Sequence, residues 1–126
     1  MITQKHDLDV TPSGVLPVVN ASQYDVGRII KFYLYNESEV YNIPVGTSVL
    51  VNGIKPNGDA FSYNATYTDN VVTVTLTDQM TVIDGEVKCE LRFADALGND
   101  IGTTNFILLV ERAPFDASIP ISETEI

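Results

Sequence analysis

The stretch Gly85-Glu86-Val87-Lys88-Cys89-Glu90-Leu91-Arg92-Phe93 decides the fold class. Val87, Cys89, Leu91 and Phe93 fall on one face, and Glu86, Lys88, Glu90 and Arg92 on the other. A period of two, apolar on one side and charged on the other, marks a half-buried antiparallel strand. The same pattern makes Cys89 a small buried hydrophobe rather than a reactive thiol.

The alternation recurs in both directions from that strand. Residues 28–35 place Ile30, Phe32 and Leu34 on one face, and Ile29, Lys31, Tyr33 and Tyr35 on the other. Both faces are fairly apolar, which predicts a central strand or one whose outer face is covered. Val72, Val74 and Leu76 alternate with threonines of high strand propensity over 71–77. Residues 105–112 put Phe106, Leu108 and Val110 on one face, and 7–10, 48–52 and 60–67 are shorter candidates. Turn chemistry separates them: Lys55-Pro56-Asn57-Gly58-Asp59, Thr68-Asp69-Asn70, Asp84-Gly85 and Leu97-Gly98-Asn99-Asp100. Residues 78–83 allow one short helical turn. Strands at this spacing predict an all-β fold, an antiparallel immunoglobulin-like β-sandwich of about seven strands. The alternation stops at Ala113, where prolines 114 and 120 begin a different composition. The expected division is therefore a domain at 1–112 and an exposed tail or linker at 113–126.

Composition narrows the function classes. The 126 residues, 44% hydrophobic and 19% charged, suit one domain with its own core. Seventeen acidic against seven basic residues give a net charge of −10. That balance argues against nucleic acid and anionic membranes as partners, since both require a cationic face. No run approaches the roughly 20 apolar residues of a membrane span. The N-terminal residues lack the apolar run of a signal peptide, so synthesis in the cytoplasm is expected. A single Cys excludes an internal disulfide framework and a Cys-based metal cluster.

Catalytic constellations are few in a chain with one His and one Cys. There is no Gly-x-Ser-x-Gly elbow, no phosphate-cradling Gly-x-x-x-x-Gly-Lys loop and no His-Glu-x-x-His. No catalytic, cofactor-binding or metal-ligating residue is assigned. His6, beside Asp7, reads as a solvated side chain on an edge strand. The acids of the Asp95–Asp100 loop invite a calcium reading. They lack the ligand order and closing Glu of a calcium loop, and Asp, Asn and Gly are what turns select. Tyr33, Tyr35, Tyr41, Tyr63 and Tyr67 could stack on sugar rings, but a protein contact is the better reading for Tyr without Trp.

Several strings recur in a fixed order. Gln23-Tyr24-Asp25-Val26-Gly27-Arg28 precedes a strand; Gly53-Ile54-Lys55-Pro56-Asn57-Gly58 and Leu76-Thr77-Asp78-Gln79-Met80 follow; Thr103-Thr104-Asn105-Phe106 closes the set. Together they resemble the N-terminal domain of the upper baseplate protein of tailed phages that infect Gram-positive bacteria, over about residues 5–112. The resemblance implies a non-catalytic adaptor in the virion that docks on the distal tail ring protein. A C-terminal region, trimeric in the full-length protein, would hold the receptor-binding protein. This chain stops at Ile126, which fits an excised N-terminal domain better than a short variant. The family pattern picks out Gln23, Asp25, Gly27, Arg28, Lys55, Pro56, Gly58, Gln79 and Met80 as interface candidates. Their structural alternative is that Gly27, Pro56 and Gly58 set turns while Asp25 and Arg28 pair to order the start of a strand. A carbohydrate-binding or adhesin module for a cell-wall saccharide is the rival function on the same architecture.

Overall fold

The computed structural model describes residues 3–10 and 16–113. In chain order the elements are β1 (Thr3–Asp9), β2 (Val18–Ser22), β3 (Ile29–Asn36), β4 (Glu39–Val40), β5 (Ser48–Ile54), β6 (Ala60–Thr68), β7 (Val71–Thr75), α1 (Asp78–Thr81), β8 (Gly85–Ala94) and β9 (Asp100–Glu111). The all-β expectation is met, each of the seven expected strands is present, and the 78–83 segment forms a single helical turn. Of the tail expected at 113–126, residues 114–126 lie outside the described residues.

The immunoglobulin-like sandwich of about seven strands needs correction. Nine strands form one sheet in the order β1-β3-β7-β6-β5-β8-β9-β2, with β4 beside β3. β6 makes the sheet continuous, because Ala60–Ala65 pair with β5 and Thr66–Thr68 with β7. Its two edges nearly meet: Gln4 Nε2 on β1 donates to Asn20 O on β2 at 2.6 Å, and Thr104 Oγ1 on β9 donates to Asp9 O at 3.3 Å. The result is a nearly closed barrel. Nor are all pairings antiparallel, since β1 runs parallel to β3 and β2 parallel to β9. Sequence periodicity reports which face is buried, and the inner face of a sandwich alternates just as a barrel interior does.

The two additional strands left weak signals. β4 is two residues long. β2 buries only Val19 and Ala21, which are small. β1 begins four residues earlier than expected, so His6 shares the inward face with Leu8. The solvated reading of His6 is thereby corrected: its ring is half-buried, 6.1 Å from that of Phe32. Burial holds its pKa below the ordinary value, against the opposing pull of Asp7.

Phe32 of β3 and Phe106 of β9 meet at 4.7 Å across the interior, among Leu8, Ile30, Leu34, Leu91 and Leu108. β3 lies between β1 and β7, as its two apolar faces require. Cys89 is buried as expected, and burial pushes its thiol up to about 12. Gly53 stands opposite Phe61 in the β5–β6 ladder. The Phe61 ring occupies the space where a side chain would stand, with Cε2 at 2.6 Å from a β-carbon placed there. The strand registers put the 23–28, 55–59 and 76–84 connections, with Glu111, at one end of the barrel. The 37–47, 69–70 and 95–99 connections stand at the other.

Candidate functional site

The nine residues singled out in the sequence come from three separate strings, and the fold gathers them at the α1 end. After β2 the chain turns through a loop in which Asp25 N donates to Ser22 O at 3.0 Å and Ser22 N to Asp25 Oδ2 at 2.9 Å. The same oxygen, Oδ2, also pairs with Arg28 Nη2 at 3.3 Å. The intramolecular pair expected at the start of a strand is thus present, at the foot of β3. Gly27 takes φ 79, a left-handed conformation open to glycine at little cost, and its N–H donates to Leu76 O at 2.9 Å.

That loop is fastened to α1. Tyr24 N donates to Thr81 O at 3.1 Å, and Thr81 Oγ1 donates to Asp25 O at 2.8 Å. Gln23 reaches furthest: its Nε2 donates to Val82 O at 2.8 Å, and its Oε1 accepts from Ala113 N at 3.2 Å. Met80 plugs the barrel from below, 1% exposed. A single turn of helix suffices here because its task is to carry one apolar side chain into the core.

The second string, Gly53 to Gly58, forms the β5–β6 hairpin. Lys55 N donates to Asp59 O at 2.8 Å and Gly58 N to Lys55 O at 2.9 Å, with Gly58 at φ 91. Pro56 and Gly58 therefore shape a turn closed by a left-handed residue. Pro56 also leans on the start of β8, since a β-carbon at Gly85 would lie 3.0 Å from its Cγ. Lys55 is 7% exposed, and its Nζ donates to Gln79 Oε1 at 3.2 Å. Among the described residues no carboxylate pairs with it. An ammonium so placed makes hydrogen bonds or leaves water at a cost, which fixes the hairpin against α1.

Gln23, Asp25 and Arg28 are half-buried, whereas Pro56, Gly58 and Gln79 are exposed. Two residues inside the first string went unselected although they are open to solvent: Val26, 68% exposed, and Tyr24. Their signal was an apolar side chain within an otherwise polar turn.

The groups with displaced pKa values lie on separate elements: His6 on β1, Cys89 on β8 and Asp95 in the β8–β9 turn. Asp95 Oδ1 accepts from Leu97 N and Asn99 N, both at 2.9 Å, and the Asn99 bond leads in holding its carboxyl below the usual range. Asp100 Oδ2 stands 3.6 Å from Arg92 Nη1. Among the described residues no group of three His, Cys, Asp or Glu side chains is placed to hold a metal ion. The loop raised as a calcium candidate is built as a turn. Tyr41, Tyr63 and Tyr67 pack against the core, and Tyr67 OH accepts from Thr47 N and donates to Pro44 O, both at 3.1 Å.

No family model and no curated protein matches the sequence. Among solved structures the chain is similar to the N-terminal domain of ORF48 of phage TP901-1, a baseplate protein, with a TM-score of 0.69. The match covers 88% of this chain and 99% of that one at 12% identity. The resemblance carried by the sequence strings and the likeness in three dimensions point to the same domain type, and at this identity the shared property is the fold.

Proposed function

We propose that this domain is a structural, non-catalytic module of a phage tail baseplate. It serves as an adaptor that docks on the distal tail ring protein, with sequence following the domain leading to receptor-binding proteins. Its place is the virion, after synthesis in the cytoplasm of the bacterial host, and the full-length protein is a trimer through its C-terminal region. The observation that carries this reading is the fold shared with almost the whole of a phage baseplate domain, which the ordered strings had indicated independently. Net charge of −10 agrees with assembly through protein contacts rather than through nucleic acid.

The saccharide reading has less support, because recognition of sugar faces needs rings open to solvent and three of the five tyrosines concerned pack against the core. Two titrations separate the readings. The adaptor binds purified distal tail ring protein from the same phage or prophage and leaves host cell-wall polysaccharide free. Tight binding of the polysaccharide by this domain alone, with none of the ring, would replace the adaptor by a saccharide-binding module.

A further inference from the structure

The end of the barrel opposite α1 presents apolar side chains on its loops. Val45 is 101% exposed and Leu97, at the tip of the β8–β9 hairpin, is 87% exposed. The two loops adjoin, since a β-carbon at Gly46 would lie 3.8 Å from Cβ of Ala96. Ile101 is also open and borders a recess of about 130 Å³ together with Val10, Tyr41 and Phe93. Single exposed apolar residues are ordinary, but adjoining loop tips of this kind beside a recess have the character of an interface core.

Charge selects what can cover them. The described loops of this end hold Glu37, Glu39, Asp69 and Asp95 and contain no Lys or Arg, while Asp100, which follows, is paired with Arg92 at 3.6 Å. At the opposite end the acids Asp25, Asp59, Asp78 and Asp84 have cations among them, Arg28 paired with Asp25 and the buried Lys55 beneath. A second copy presenting the same end would oppose acid to acid, and a phosphate-bearing wall polymer would be repelled likewise.

We infer that the Val45–Leu97 end is the docking surface, and that its occupant is a protein whose apolar recess is bordered by Lys or Arg. The inference rests on the adaptor reading and gives it a direction. β9 has twelve residues, so at about 3.3 Å per residue it separates the Leu97 tip from Ala113 by roughly 35–40 Å. Docking thus occupies one end while the chain runs on from the other.

The test measures affinity for purified distal tail ring protein by calorimetry. The proteins are the wild-type chain, Val45→Ser/Leu97→Ser, Glu37→Lys/Glu39→Lys and, at the α1 end, Val26→Ser. Removing the two apolar tips weakens binding by at least about 30-fold. The Lys pair slows association and flattens its salt dependence, while Val26→Ser stays within about twofold. All four melt alike, because every substituted side chain is exposed. Wild-type affinity in the Val45/Leu97 variant, with loss in Val26→Ser, overturns the inference and leaves the adaptor reading standing. A wild-type dimer abolished by the Val45/Leu97 substitutions also overturns it. Failure of the wild-type chain to bind the ring removes the adaptor reading and the inference with it, and is visible before any variant is made.

Discussion

Replacing Gln23 by Ala removes two hydrogen bonds that span the chain, to Val82 O at 2.8 Å and from Ala113 N at 3.2 Å. They hold the end of α1 and the end of β9 against the loop after β2. A net hydrogen bond contributes about 1 kcal/mol, and a partner left without one costs somewhat more where water is excluded. Val82 and Ala113 are half-buried, so water compensates in part. The expected loss is about 2 kcal/mol, which for a domain near 100 residues lowers Tm by roughly 8–16 °C. Gln23→Glu sharpens the test. Its carboxylate can still accept from Ala113 N, but the second oxygen then faces the oxygen of Val82. The charged form is disfavoured in the folded state, raising the folded pKa above an unfolded value of about 4.3. The protonated variant therefore keeps its stability below that unfolded value and loses it as pH rises through the folded pKa. Urea and thermal melts of the wild type and both variants at pH 7 and about pH 4 provide the measurement. The reasoning fails if Gln23→Ala costs under about 0.5 kcal/mol, or if the Glu deficit does not shrink in acid. Gln23 would then owe its place in the string to something other than the fold.

Gly53→Ala puts a methyl into the Phe61 ring and costs about 1–3 kcal/mol in urea melts; adding Phe61→Leu recovers part of that loss if the clash is the cause. Arg28→Glu sets two carboxylates together in place of the 3.3 Å pair and lowers stability by about 1 kcal/mol, a loss that melts at high salt should reduce. Cys89, buried with its thiol pushed up to about 12, reacts with a disulfide reagent in denaturant and scarcely at all in the native state; prompt native labelling would contradict its burial. Asp95 has a lowered folded pKa, so its turn is stabilised above the unfolded value and loses that stabilisation as pH falls through the folded one. The Leu97 and Asn99 amide resonances should shift together below the usual carboxylate range, and independent titration would separate them from Asp95.

Most of the strands were legible because burial of one face forces a period of two, and Val87, Cys89, Leu91 and Phe93 keep it without a break. What the period leaves out is the neighbour. Ile30 and Val74 must face inward, yet nothing in either strand states that they pair with each other, or that β1 runs parallel to β3. The change of partner along β6 escaped for a related reason. Phe61, Tyr63, Ala65 and Tyr67 all turn toward the core, so the alternation continues unbroken through the point where its partner changes from β5 to β7. A strand shared by two halves looks in sequence like a strand that belongs to one.

The strings that carried the resemblance belong to a third category. Gln23, Asp25, Gly27, Lys55 and Met80 act on the chain itself: they bridge backbone groups, permit a left-handed turn, lock a hairpin to α1 and seal the barrel. Such residues have few substitutes, because each meets a geometric demand that few side chains satisfy. They therefore identify a fold through its points of constraint, whatever surface the fold later presents to a partner. Val45 and Leu97 are the opposite case. They stand on loop tips with no period to obey and with their side chains in solvent, so the sequence shows them only as apolar residues among turn formers, and their meaning appears once Gly46 is brought against Ala96. A likeness built on constraint residues can thus be right about architecture and silent about docking, which is why the ring-binding comparison between the two ends of the barrel carries more information about function than substitution within the strings.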